Sequence, residues 1–187
     1  MRHVWLNSTL RALGGILVVA ALGACLHLDE QSGFVKSFSH TDYGYSIAIP
    51  RELSCKPFPS RYPLHGCRIE DAKSSWSVTL EAHYYSPDAQ NPLDDEWESF
   101  QKQSETEGWR AVAPAAHETL RGLEALRFEL ERRGQAAEPQ IQAGLIAARP
   151  SEGIVYSIVM TGNSKYRARF SAVYSAVKDS FRLLPIR

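Results

Sequence analysis

The sequence predicts an α+β domain: one antiparallel β-sheet with helices packed on both faces, an α/β/α sandwich. Three observations lead there. Several segments alternate apolar and polar residues with period two, and two others carry apolar residues at helical spacing. The strand-like segments also follow one another without a helix between each pair, so hairpins rather than β-α-β repeats join them.

The first alternating segment is "YGYSIAIP", in which Tyr43, Tyr45, Ile47 and Ile49 fall on one side and Pro50 ends the run. In "WSVTLEAHYY", Trp76, Val78, Leu80, Ala82 and Tyr84 point one way, and Ser77, Thr79, Glu81, His83 and Tyr85 the other, which predicts one buried and one wetter face. The period then changes. Asn91 is a good N-cap, Pro92 suits the first helical position, and Asp94 and Asp95 sit in the first turn, where the helix dipole favours acids. Leu93, Trp97 and Phe100 make a narrow apolar stripe, and Gly108 stops the helix.

Next comes "LEALRFELE", with Leu126, Phe128 and Leu130 opposite Arg127, Glu129 and Glu131, followed by "RRGQAAEP" as a loop. "IQAGLIAA" and "GIVYSIVMTG", joined by "RPSEG", are apolar on both sides and predict central strands covered on both faces. A last helix begins near Asn163 or Ser164. Its Phe170, Val173, Tyr174, Val177 and Phe181 form a core-facing stripe.

Three phrases, "FSHTDYGYSIAIP", "GLIAARPSEGIVYSIVMTG" and the closing "VKDSFRLL", resemble the PsbP-like fold. That fold is shared by photosystem II extrinsic subunits, a Ran-binding nuclear factor and many bacterial lipoproteins. The resemblance covers about residues 37–185 and rests on element order and turn phrases. It implies a PsbP-like α/β/α sandwich that binds or stabilises other proteins and is not generally an enzyme. No binding-site motif of the family matches residue by residue, so no functional residue is carried over.

The 187-residue length allows one domain plus a targeting segment. Lys plus Arg and Asp plus Glu both total 21, which gives nucleic-acid binding no compositional support. The N-terminus has its own organisation. Arg2, His3 and Arg11 start it positively, residues 12–24 are uncharged, and "LGAC" closes it. The apolar run is shorter than the roughly 20 residues of a membrane-spanning helix and fits a secretory signal.

Leu22, Gly23, Ala24 and Cys25 resemble the lipobox of bacterial lipoproteins. The resemblance implies a diacylglycerol thioether on the Cys25 sulfur, cleavage before Cys25 and acylation of the new amino terminus. By likeness to the enteric sorting rule, Leu26 in place of Asp favours the outer membrane. The expected organisation is a signal peptide over 1–24, a lipidated cysteine and tether over 25–36, and a single domain over 37–187. An ordinary signal peptide is the alternative.

Cys55 and Cys67 then remain, flanking "CKPFPSRYPLHGC", whose Pro57, Pro59 and Pro63 exclude a helix or a central strand. In an oxidising envelope the two thiols are expected to pair as a structural disulfide. The C-x-x-C spacing of a redox pair is absent, and a zinc site would need two more ligands than His65 offers nearby. Within this loop Phe58, Arg61, Tyr62 and His65 are a candidate contact surface. His83 and Tyr85, on the wetter strand face, are a second.

The chain has no G-x-S-x-G, H-E-x-x-H, G-x-x-x-x-G-K or G-x-G-x-x-G motif, so no catalytic residue, metal ligand or cofactor is assigned. The expected function is a non-catalytic, outer-membrane-anchored lipoprotein facing the periplasm. It would hold the membrane by its lipid and bind an envelope protein, with no nucleic acid involved. One alternative is a small-ligand or glycan-binding lipoprotein with an aromatic groove. Another is an envelope enzyme whose residues converge only in three dimensions, which a concave polar pocket with shifted pKa values would favour.

Overall fold

The computed structural model describes residues 34–59, 65–73, 75–86, 88–133 and 138–186. In chain order the elements are β1 (Phe34–His40), β2 (Tyr45–Pro50), β3 (Cys55–Pro57), β4 (His65–Glu70), β5 (Trp76–Tyr84), α1 (Pro92–Thr106), β6 (Arg110–Ala111) and β7 (Ala116–Leu120). They continue with β8 (Leu123–Arg132), β9 (Gln140–Arg149), β10 (Ile154–Asn163), α2 (Arg167–Ser180) and β11 (Arg182–Leu183).

One eight-stranded sheet runs β3-β4-β5-β10-β9-β8, with β6 and β7 sharing the outer edge of β8. A second sheet has the order β1-β2-β11. All pairings are antiparallel. Ile158 lies opposite Leu80 on one side and Leu145 on the other, at the centre of the large sheet.

The side-chain alternation sorts into two cores. Trp76, Val78, Leu80 and Ala82 of β5 join Tyr156, Ile158 and Met160 of β10 on the first face. There they meet Phe170, Val173, Tyr174 and Val177 of α2 and Tyr45, Ile47 and Ile49 of β2. On the second face Leu126, Phe128 and Leu130 of β8, Ile146 of β9 and Val155 and Val159 of β10 pack under α1 through Leu93, Trp97 and Phe100.

The expected arrangement of helices on both faces is corrected by this layout. On the first face α2 shares its layer with the three-stranded sheet. On the second face α1 is the only helix among the described residues, and it covers the β8–β10 half. The reason is dimensional: strands lie about 4.8 Å apart, so the seven strand positions of the sheet span roughly 29 Å, whereas one helix is about 10–12 Å wide. The β4–β5 half of the second face is therefore left to polar side chains.

Two glycines mark close backbone approaches. Gly44, at φ 57° in the β1–β2 turn, has no room for a Cβ: Leu184 O would stand 2.6 Å from it. The Leu184 N–H instead donates to Gly44 O at 2.7 Å, and the Arg149 guanidinium donates to Leu184 O at 3.2 Å, which clasps the small sheet to the large one. In β9, a Cβ on Gly144 would meet Ile158 O at 2.1 Å.

Cys55 and Cys67 are joined by a disulfide, with Cα atoms 5.5 Å apart. It links β3 to β4, which pair in register from Cys55–Ile69 to Pro57–Cys67. Pro57 is compatible with this because β3 is the edge strand; Pro63 lies outside the described residues. Among the described residues no helix is long and apolar enough to cross a membrane. Cys25 and residues 1–24 lie outside the described residues.

Candidate functional site

The uncovered half of the second face forms a groove of about 560 Å³ between the sheet and α1. Its floor is the outward row of β5, Ser77, Thr79, Glu81 and His83, continued by Ser157 and Thr161 of β10 and bounded by Arg68 of β4. Strand alternation puts these side chains on one face, since Val78, Leu80 and Ala82 take the other. Its wall is α1, where Glu96, Ser99 and Gln103 recur at three and four residues beside the apolar stripe, with Glu107 following at the C-cap.

An ion pair crosses the groove. His83 Nε2 donates to Glu96 Oε2 at 3.1 Å, tying β5 to α1. This bond holds the His83 pKa above its ordinary 6.5, against the opposing pull of burial. Burial pushes the Glu81 carboxyl up, while His83, Arg68 and the Ser157 hydroxyl favour its charged form. Arg132 stacks 4.6 Å from the Trp109 ring centre and donates to Glu107 O. The Oε1 of Gln142, in the floor, is buried with no hydrogen-bond partner.

The sequence candidates divide between the two faces. His83 lines the groove. Tyr85 does not: it packs beside the second core, and its hydroxyl donates to Pro150 O at 3.4 Å. His65 opens β4 on the first face, stacked on Tyr43 with ring centres 4.8 Å apart and edge-on to His40 at 5.5 Å. Phe58 follows β3, where its N–H donates to Gly66 O. Arg61 and Tyr62 lie outside the described residues.

Sequence reasoning did not find Glu96 as the partner of His83. Read along the chain, it belongs with Asp94 and Asp95 at the helix start, and its histidine lies 13 residues away. The available signal was the second helical stripe of 96, 99, 103 and 107 facing the polar row of β5. Alternation assigns Tyr84 to the buried row of β5, but it is 54% exposed, because β5 ends there beside the β1–β2 turn and its hydroxyl donates to Asp42 O. Among the described residues no group of three or more His, Cys, Asp or Glu is placed to hold a metal ion.

No family model matches the chain, and no curated protein matches it either. Solved structures do match. The solution structure of cyanobacterial PsbP (CyanoP) from Synechocystis superposes with TM-score 0.59 at 12% identity, over 87% of this chain and 98% of that one. The fold is PsbP-like. LpqN of Mycobacterium tuberculosis, described as involved in cell envelope biogenesis, matches with TM-score 0.56 at 14% identity, over 80% of this chain and 90% of that one. The Saccharomyces cerevisiae Ran-binding protein Mog1p matches with TM-score 0.54 at 12% identity, over 82% and 97%. At these identities the likeness is one of fold, and a PsbP-like fold does not itself assign a function.

Proposed function

We propose that the protein is a lipid-anchored, non-catalytic binding module of the bacterial envelope that holds an envelope partner in the groove between α1 and the sheet. The anchor is Cys25, and the membrane is the outer one, with the domain in the periplasm. The observation that carries the binding role is the open polar half of the second face. A sheet face with hydroxyl, amide and carboxylate side chains, walled by one helix, offers directional contacts that a covered core face does not. The "LGAC" junction supports the anchor. The similarity to LpqN, a protein of envelope biogenesis, and to Mog1p, which binds Ran, is in keeping with an envelope binding role.

One observation favours a catalytic role instead: the groove is concave and holds Glu81 and His83 with raised proton affinities. Acid–base chemistry needs a base free to reach a substrate proton. Here His83 is engaged with Glu96, and Glu81 is bonded to Ser157, a pairing that suits a rigid binding wall.

The membrane claim is tested by expressing the full chain and Cys25→Ala with an alkyne-labelled fatty acid. Label and membrane retention in the native chain, both lost in Cys25→Ala, are expected. Normal processing and retention of Cys25→Ala would contradict lipidation.

A further inference from the structure

We propose that the domain docks on an anionic phospholipid surface through the end of the molecule at which β5 begins. This rests on the reading of Cys25 as a lipid anchor. Only residues 26–33 lie between that sulfur and Phe34, where β1 opens, so the connection spans at most roughly 30–32 Å when fully extended. Whichever end of the domain receives it is kept beside the bilayer.

The strand register shows which end that is. Phe34 pairs with Pro50, and the Pro50 carbonyl accepts from the Leu53 N–H in a tight turn. Two residues on, Cys55 pairs with Ile69, and Ile69 with Val78 near the start of β5. Trp76, the first residue of β5, lies opposite Gly162 of β10, and a Cβ on Gly162 would meet the Phe170 ring of α2 at 2.9 Å. The entry to β1, the β4–β5 turn and the start of α2 therefore share one end.

That end carries five exposed cations that form no ion pair among the described residues: Lys36 and Arg51 beside the entry, Lys73 in the β4–β5 turn, Lys165 ahead of α2, and Arg169 in its first turn. Lys165 and Arg169 lie over the Tyr166 and Trp76 rings, which leaves their charge unneutralised. The acids there are fewer. Glu52 is exposed, Asp71 accepts from the Ser75 N–H and Glu138 from the Ser164 hydroxyl, while Glu70 and Glu129 are paired with Lys56 and Arg167. The first turn of α2 holds no acid, and cations at a helix N-terminus oppose the dipole, so stability of the fold does not account for them.

The opposite end has the reverse sign. Tyr84 closes β5 there with its hydroxyl on Asp42 O, and exposed Asp42, Asp88, Asp94 and Asp95 gather around it. Its arginines are engaged, Arg149 with Glu152, and Arg121 and Arg182 with the carbonyls of Asp179 and Phe181. The domain is thus polarised along its strands, although the chain has 21 charges of each sign. An anionic surface attracts one end and repels the other, and a short tether makes even a weak contact effective by raising the local concentration. The tether also decides between a bilayer and an acidic protein, because it brings this end to the bilayer with or without a protein present.

The test uses the full chain, processed and acylated, added from detergent to preformed vesicles whose headgroups carry a rhodamine acceptor. A nitrobenzoxadiazole donor is placed at Ala72→Cys, beside Lys73, or at Thr41→Cys, in the turn at the far end. On phosphatidylcholine vesicles with roughly one-third phosphatidylglycerol, position 72 should be quenched more strongly than position 41. The difference should be lost on pure phosphatidylcholine, in 1 M sodium chloride, where the Debye length falls to about 3 Å, and in the Lys36→Gln/Arg51→Gln/Lys73→Gln/Lys165→Gln variant. These four side chains are exposed, and unchanged thermal melting of the variant shows that the fold is kept. Equal quenching at the two positions in vesicle-bound protein, or stronger quenching at 41, would overturn the docking while leaving the anchor in place. A difference that survives the loss of anionic lipid, the added salt and the four substitutions would assign the orientation to the tether alone and also overturn it. Mature protein without acyl mass on Cys25 that stays off the vesicles overturns the anchor, and this inference with it.

Discussion

Arg121 holds a left-handed backbone, φ 52°, in the turn between β7 and β8, followed by Gly122 at φ 86°. Two positive values in a two-residue hairpin turn are the type I′ pattern, which favours Asn-Gly and penalises a long side chain at the first position. The compensation lies at the far end of that side chain. Its Nε donates to Phe181 O at 3.0 Å and its guanidinium also reaches Asp179 O, capping the carbonyl end of α2 where a cation suits the helix dipole. Arg121→Asn should relax the turn yet lose the cap, whereas Arg121→Ala should lose the cap and keep the strain. Arg121→Ala is therefore expected to be the less stable of the two by about 1 kcal/mol in urea unfolding. The His83–Glu96 pair gives a second prediction. The folded His83 pKa lies above 6.5, so its contribution is full below 6.5 and is lost as pH rises through the folded value. Glu96→Gln should cost less than about 1 kcal/mol near pH 6, with the difference from the native chain shrinking at higher pH. Glu81 is raised by burial and acts in the same direction, weakening the fold as it ionises above its ordinary 4.5. At this scale the sequence showed the helix start at Pro92 and the Cys55–Cys67 pair plainly, although Asn91, at the N-cap position, makes no capping bond with its side chain. It hid the partners of His83 and Arg121, because those contacts join residues 13 and 60 positions apart.

Among the elements, α1 is anchored through Phe128, whose ring lies 5.2 Å from Trp97 and 4.7 Å from Phe100, centre to centre. Phe128→Ala should cost about 3–5 kcal/mol and expose the tryptophan, read as loss of stability together with a red-shifted emission. The β3–β4 pair depends on its disulfide. Replacing both cysteines by alanine should remove about 3 kcal/mol in the chain-entropy account, which a denaturation series measures. The strongly periodic elements were legible. Strand β5 alternates buried and half-buried residues from Trp76 to His83, and β9 and β10 are buried on both faces. The weak ones were not. β7 carries only Leu120 as a buried residue, β4 is interrupted by Gly66, and β6 has two exposed residues, so each depends on pairing with its neighbour strand rather than on its own pattern. β1 opens at Phe34, within the stretch expected to be tether, and is ordered by its pairing with β2.

For the whole molecule, the imbalance between a wide sheet and two helices produces the open face. Apolar patterning announced two helical segments, and only their dimensions against an eight-stranded sheet show that one must leave strands uncovered. The sheet's own polarity agrees: on the second face the residues packed under α1 are apolar, on β8 and at Ile146, Val155 and Val159, and those lining the groove beyond it are mostly polar, on β5 and at Arg68, Ser157 and Thr161. That agreement across levels is what a built surface requires, since an accidental gap in a core face would be apolar. The measurement that tests this most directly is photocrosslinking in intact cells. p-Benzoylphenylalanine is placed at Ser99 in the groove wall or at Ser175, exposed on α2 over the opposite face. Defined adducts from position 99 and none from position 175 are predicted. Equal capture from both positions, or none from position 99 in correctly folded and exported protein, would contradict the account.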